Sequence, residues 1–185
     1  MKVEFEIPTL ETQRLRLRGL AETDLDGFAS IYSDAENARF IGGVVSRHEC
    51  WRKIALMIGH WHIRGWGIFA LESKANGQFI GYCGPWRPDS WQHDEIAYSL
   101  VPGQSGKGLA AEAARRAIRF AYESCGWAGA VSYVDAGNEA SRRVAQKNGA
   151  RRDGSATILD DETVEVWRYP SPRQFSALFP SWGSA

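Results

Sequence analysis

The sequence predicts an α+β fold in three α/β/α layers: a mixed, mostly antiparallel sheet with helices on both faces and one strand–helix–strand crossover. Three observations predict it. Residues 66–72, 79–86 and 95–101 read at period two, and Asn76-Gly77 between the first two is a tight-hairpin signal. Two stretches, behind Ser46 and from Leu109, repeat apolar residues at helical spacing. Between residue 101 and Leu109 a glycine cluster joins strand to helix without a gap, and a β-rich run, Ala130 to Val134, follows that helix.

The elements follow in order. Residues 1 to 13 read as an extended lead-in, and Leu15-Arg16-Leu17-Arg18 alternates as a half-buried strand does. Thr23 is placed to cap a helix running to about Ser33, with Asp24 and Asp26 at its positive end. Gly42-Gly43 breaks the chain, and Ser46-x-x-Glu49 forms a capping box. Cys50, Trp51, Ile54, Ile58 and Trp61 then recur on one helical face to about Ile63. In the third strand, Ile96, Tyr98 and Leu100 share one face, and Glu95, Ala97 and Ser99 the other. Leu109, Ala113, Ala117, Phe120 and Ala121 form the stripe of a helix ended by Gly126. Asn138 caps a helix over 139–148, closed by Gly149, and 164–169 is the last clear strand. From Pro170 a Pro/Ser-rich tail carries Phe175, Leu178, Phe179 and Trp182, which can dock on the body.

Length and composition bound the function. A chain of 185 residues favours a single domain over 1–185, with a core of about 9–170 and a tail over 171–185. Its 44% hydrophobic and 24% charged residues suit a packed protein and make disorder a poor starting point. Twenty-two basic residues balance twenty-two acidic ones, so nothing global draws it to nucleic acid or an anionic membrane. No apolar run approaches the ~20 residues of a membrane span, and the acidic start does not read as a signal peptide. Cys50, Cys83 and Cys125 lie far apart, as free thiols of a reducing cytoplasm do, and no metal site is expected. His60 and His62, two apart on a helix, do not share a face.

The informative stretch is Leu100 to Glu112. Glycines allow a tight turn and a close approach to bare N–H groups, and the helix start adds unpaired donors and partial positive charge, together a seat for phosphate or diphosphate. A P-loop does not fit, because Val101 stands at its first glycine and Gly108 at its Ser/Thr. Gly106-x-Gly108-x-x-Ala111 does match a dinucleotide fingerprint, with Asp135 a late ribose acid, but only one β-α-β unit follows. An NAD(P)-dependent oxidoreductase is therefore one alternative. His93-x-Glu95 begins like a zinc deaminase signature, but no P-C-x-x-C follows.

Four stretches in order resemble the GNAT acetyltransferase superfamily, in the branch of ribosomal-protein N-terminal acetyltransferases. They are the opening Thr9 to Arg18, the hairpin Gly65 to Ala70 with Phe79 to Gly84, the segments Glu95 to Leu100 and Gly106 to Ala113, and Asn138-x-x-Ser141-x-x-Val144-x-x-Lys147-x-Gly149. Two positions depart from the pattern: Ser105 replaces the usual Gln, Arg or Trp, and Ala150 replaces an aromatic residue.

The resemblance implies acetyl-CoA as co-substrate and a primary amine, of a protein N-terminus or a small molecule, as acceptor. It implies that main-chain N–H groups of Ser105, Gly106, Lys107, Gly108, Leu109 and Ala110 hold the diphosphate. Leu100 and Val101 would pair with the pantetheine arm, a Leu100 N–H would face the thioester oxygen, and Asn138 would hold a pantetheine amide. An amine of pKa ~10.4 needs a base. Glu95, on the strand leading into the loop, is the first candidate, Asp94 the second and His93 the third. Ser141 is the candidate donor to the sulfur, and Lys147 either meets a CoA phosphate or faces solvent. The helices before the hairpin and the Trp51–Trp66 segment are expected to shape the acceptor pocket. A non-catalytic acyl-CoA-binding module is the other alternative, and a homodimer stays open.

Overall fold

The computed structural model describes residues 6–89, 91–158 and 162–180. Among them one sheet holds eight strands: β1 (Leu10–Glu11), β2 (Leu15–Arg18), β3 (Phe69–Ser73), β4 (Phe79–Trp86), β5 (Glu95–Leu100), β6 (Val131–Val134), β7 (Arg151–Ile158) and β8 (Glu162–Arg168). Their spatial order is β1-β2-β3-β4-β5-β6-β8-β7, antiparallel at every junction except β5–β6. Six helices accompany them: α1 (Leu25–Ser33), α2 (Ala35–Ala38), α3 (Arg47–Arg64), α4 (Leu109–Glu123), α5 (Glu139–Lys147) and α6 (Pro172–Leu178).

Two cores flank the sheet. On one side Phe28 and Ile31 of α1 and Cys50, Ile54 and Met57 of α3 pack against Ala70 and Tyr82. On the other, Ala113, Ala117, Phe120 and Ala121 of α4 meet Leu17, Phe69, Leu71 and Ile96, and Phe175 of α6 closes that layer. The expected α4 stripe is therefore the buried one. The α3 stripe is shifted: Cys50, Ile54, Met57 and Trp61 are buried, whereas Trp51 and Ile58 are 46% and 40% exposed. A face at i, i+4, i+7, i+11 fits the helix period better than one that includes 51 and 58.

Some termini differ from the sequence reading. The capping box is present: Ser46 Oγ accepts the Glu49 N–H at 3.2 Å, and a Glu49 carboxylate oxygen takes the Ser46 N–H at 3.4 Å. Thr23 does not cap α1; it lies inside a 3₁₀ turn over Glu22–Asp24, and Asp24 accepts the Ala21 N–H at 2.9 Å instead. β3 starts at Phe69, not Trp66. Residues 151–158 form a strand the pattern hid, because its side chains are mostly exposed and show no alternation. The tail folds into α6, with Pro172 at its first turn. Trp182 lies outside the described residues.

One junction fixes the site. β3 pairs Leu71 with Gly81 and Glu72 with Phe79, leaving Ile80 as a bulge in β4. Gly81 (φ +149°) then lies so close to β5 that a Cβ there would stand 2.2 Å from the Ser99 carbonyl oxygen and 2.8 Å from Leu100 Cα. Glycine is what lets β4 press on the end of β5.

Candidate active site

β5 and β6 run parallel but share a single register pair, Glu95 with Val131. Next to it Ser132 Oγ donates to the Ile96 carbonyl at 2.7 Å. Beyond that point the strands part. The wedge opens into a cleft of about 630 Å³, walled by Tyr98, Ser99 and Leu100, the loop from Pro102 to Gly108, the start of α4, the inner face of α5 and the segment from Asp34 to Ile41.

The loop is built for a backbone-donating ligand site. Gly103, Gly106 and Gly108 take φ values of +81°, +79° and +78°, which side-chain-bearing residues rarely adopt. At Gly106 a methyl group in place of the α-hydrogen would meet no atom within 4 Å, so the space around its amide is open. Gly108 is the N-cap of the fifteen-residue α4, and no side chain caps that helix. Its first-turn N–H groups and the positive end of its dipole therefore face the cleft.

The end of β5 supplies a second row of groups. The Val101 N–H donates to the Ile80 carbonyl at 3.0 Å. Ladder groups alternate in direction, so those of Tyr98 and Leu100 point away from β4 and into the wedge. The Leu100 carbonyl there accepts from Asn37 Nδ2 at 3.1 Å. The Tyr98 hydroxyl donates to the Ser141 carbonyl at 3.1 Å and lies 3.0 Å from Ser141 Oγ, joining β5 to the first turn of α5. Burial pushes the Tyr98 phenol well up, so it keeps its proton. Asn138 Oδ1 caps α5 by accepting the Ser141 N–H at 3.0 Å.

Of the residues expected at the site, Leu100, Ser105, Gly106, Gly108, Leu109, Ala110, Asn138 and Ser141 line one cleft, with Lys147 beside them. Val101 does not join them: its N–H is committed to Ile80 and its side chain packs against both cores. The Lys107 side chain is not in the lining either: its Nζ donates to Gln104 at 3.0 Å, and its carbonyl accepts from Arg14. Glu95 and Asp94 lie outside the lining, at the far end of β5. At ~3.3 Å per residue the Glu95 and Leu100 main chains are about 17 Å apart.

Glu95 is 8% exposed. Its carboxylate accepts Trp91 Nε1–H at 2.5 Å and the Tyr133 main-chain N–H, yet desolvation outweighs both bonds and pushes it up to about 7 from its ordinary 4.5. Asp94, in contrast, pairs with Arg87 at 2.9 Å. His60, buried against Trp66 and Trp86, bonds the Trp66 and Arg87 main chain, and desolvation lowers its basicity. No group of three or more metal-binding side chains occurs among the described residues.

No residue of the Trp51–Trp66 segment lines this cleft. Trp61 is core, donating to the Ile68 carbonyl at 2.7 Å, Trp66 meets Trp127 edge to face, and Trp51 reaches Glu22. The cleft wall from the first helices is instead Asp34 to Ile41, where Phe40 packs against Gly137 across the mouth. Asn37, Phe40, Tyr98 and Arg143 are among the lining residues that sequence reasoning missed. Only Tyr98 carried a signal, its place on the strand entering the glycine loop.

Among the described residues a single parallel pair, parted by a wedge at a glycine loop, leaves no second β-α-β half for a dinucleotide. The family model of the acetyltransferase (GNAT) domain matches residues 14–151. The chain belongs to the GNAT acetyltransferase family. An acetyltransferase from Agrobacterium tumefaciens is 30% identical, covers 92% of this chain and 98% of its own, and superposes with a TM-score of 0.81. Lower-identity GNAT structures share the fold. The ribosomal-protein-S5-alanine acetyltransferase of Vibrio fischeri is 17% identical over 88% of this chain and 96% of its own, with a TM-score of 0.69. The aminoglycoside acetyltransferase AAC(6')-Ib, solved with coenzyme A, is 18% identical over 90% and 99%, with a TM-score of 0.74. No helix of this GNAT chain, among the described residues, is long and apolar enough to cross a membrane.

Proposed function

We propose that this enzyme transfers acetyl from acetyl-CoA to a primary amine, of a protein N-terminus or a small molecule, by direct attack. The observation that carries the reading is the meeting of two features in one cleft: the uncapped glycine mouth of α4 and the free main-chain edge of β5.

In this reading the N–H groups from Ser105 to Ala110 take the diphosphate, apart from any that the local turn consumes. The pantetheine arm lies along β5 as an added strand and uses the Tyr98 carbonyl, since Asn37 already fills the Leu100 carbonyl, and this leaves the Leu100 N–H for the thioester oxygen. The Leu100 N–H is then the donor to the oxyanion. Glu95 takes the amine proton through intervening water, because the length of β5 forbids direct contact. The neutral amine nitrogen bonds the thioester carbon, its remaining extra proton passes to water, and the tetrahedral adduct collapses with the C–S bond breaking. Ser141 Oγ–H protonates the departing thiolate, and the neutral Tyr98 hydroxyl beside it keeps a proton in reach. Arg143 and Lys147, also lining the cleft, offset the donor's phosphate charge.

We infer that the chain works as one domain, in the cytoplasm, with no nucleic acid or membrane as partner and with a homodimer as its candidate assembly. Calorimetric titration with acetyl-CoA and with NAD(P), followed by acetylation assays over a panel of amines, tests the reading. Acetyl-CoA binding with turnover of at least one amine is expected, and Ser141→Ala is expected to lower kcat without weakening acetyl-CoA. Binding of NAD(P) but not acetyl-CoA would overturn the reading, and acetyl-CoA binding without any acetylation would leave only a binding module.

A further inference from the structure

The back of the glycine loop is gripped by the N-terminal segment. Thr12 Oγ1 donates to Glu112 Oε1 at 2.7 Å, and the Arg14 main-chain N–H donates to the same oxygen at 2.9 Å. Arg14 Nε donates to Glu112 Oε2 at 2.7 Å, Nη2 lies 2.7 Å from that oxygen, and Nη1 donates to the Lys107 carbonyl at 2.9 Å. One guanidinium thus holds both the loop and the first turn of α4.

Glu112 makes this grip more than a brace. It is a buried carboxylate in the first turn of α4, the same helix mouth that faces the cleft, and its contacts hold it below the usual carboxylate range. Fixed negative charge there draws on the helix dipole and repels any second anion. A guanidinium clamped on that carboxylate cancels the charge where it stands. The bond to Lys107 adds direction. In a trans peptide the C=O and the following N–H point opposite ways, so a Lys107 carbonyl drawn to the back aims the Gly108 N–H toward the cleft.

We propose that Arg14 is a positioning residue for the donor's diphosphate, neutralising Glu112 and turning the Lys107–Gly108 peptide so that its N–H faces the ligand. The inference rests on the acetyl-CoA reading above. It assigns to the N-terminal segment, remote from the reacting atoms, control over donor affinity.

The test is calorimetric titration of coenzyme A into wild type, Arg14→Met, Arg14→Lys, Glu112→Gln and the double variant Arg14→Met/Glu112→Gln, each with its melting temperature. Arg14→Met leaves Glu112 charged and without its cation and is expected to weaken coenzyme A by roughly tenfold or more. Arg14→Lys keeps the charge but not the planar fork, and should fall between it and wild type. Glu112→Gln removes the repelling charge while keeping one acceptor oxygen, at the cost of the two contacts to the other, and should stay within about threefold of wild type. The double variant should recover most of what Arg14→Met lost. A merely structural role gives a different pattern: the double variant binds no better than Arg14→Met, or Glu112→Gln alone weakens binding tenfold, and either outcome overturns the proposal. Should Arg14→Met fail to fold, Arg14→Lys and Glu112→Gln decide on the same criteria. Wild type that binds no coenzyme A overturns the acetyl-CoA reading itself, whereas wild type that binds it with all variants equal sinks only the role of Arg14.

Discussion

Replacing Glu95 with glutamine separates a buried base from a structural carboxylate. Glu95 sits at the one register pair where β5 and β6 meet, bonded by Trp91 and Tyr133 N–H donors, with desolvation the dominant influence on it. Its folded value of about 7 stands above its ordinary 4.5. A raised carboxylic acid stabilises the fold below its unfolded value, and that stability is lost as pH rises through the folded value. Here the window runs from about pH 4.5 to 7. Wild type should therefore lose about 2–3 kcal/mol between pH 5 and pH 8 that Glu95→Gln keeps. The amide changes hydrogen bonding too, but equally at both pH values, so the double difference isolates the charge. Urea unfolding at the two pH values measures it, and the expected relative shift in midpoint is about 1 M. The same variant reports on catalysis: kcat/KM should drop by ~10²–10⁴ and lose its rise through neutral pH. A stability difference that does not change with pH would refute the buried-charge argument. Unchanged kcat/KM would refute the role of Glu95 as base.

Three further outcomes can be measured on single variants. Trp91→Phe removes a hydrogen bond that favours the charged form of Glu95, so its value should rise beyond about 7; the ascending limb of the kcat/KM profile should move to higher pH, and an unmoved limb would speak against the contact. Gly81→Ala drives a methyl into main-chain atoms of Ser99 and Leu100 at positive φ, which should cost about 2–5 kcal/mol and lower the melting temperature by roughly 5–20 °C. Gly59→Ala, in α3 with nothing within 4 Å of the added methyl, should instead stabilise by about 0.5–1 kcal/mol in the same melting experiment.

Much of this architecture was legible because local physics wrote it. Ser46 with Glu49, Asn138 and the glycines at 106 and 108 each serve a local demand, a cap or a positive φ, and they stand where the sequence placed them. What was hidden depends on partners far along the chain. Strand β7 begins Arg-Arg-Asp-Gly-Ser and lies mostly exposed at the sheet edge, so its sequence carries no alternation to read. The wedge is invisible because nothing in Glu95–Leu100 or Val131–Val134 says that pairing stops after one register pair. Alternation placed Tyr98 on a face with Ile96 and Leu100, but not that its hydroxyl would span the gap to Ser141. The resemblance makes Val101 a ligand-facing residue, and only the bond to Ile80 shows that every second residue there is spent on β4.

The wedge also explains why one strand can serve two opposed electrostatic needs. At its closed end, contact between β5 and β6 excludes water around Glu95, and exclusion is what brings a carboxyl close to neutrality where it can exchange protons at physiological pH. At its open end the same strands have parted, leaving main-chain donors and a helix mouth unpaired for an anionic ligand. Closing the wedge would bury the loop amides, and opening it further would hydrate Glu95 and return it toward its ordinary value. The Tyr98–Ser141 contact and the Ser132–Ile96 bond hold the angle between these failures. In the proposed reading, side chains that span the gap therefore govern proton transfer and donor binding together, although none of them needs to touch the diphosphate.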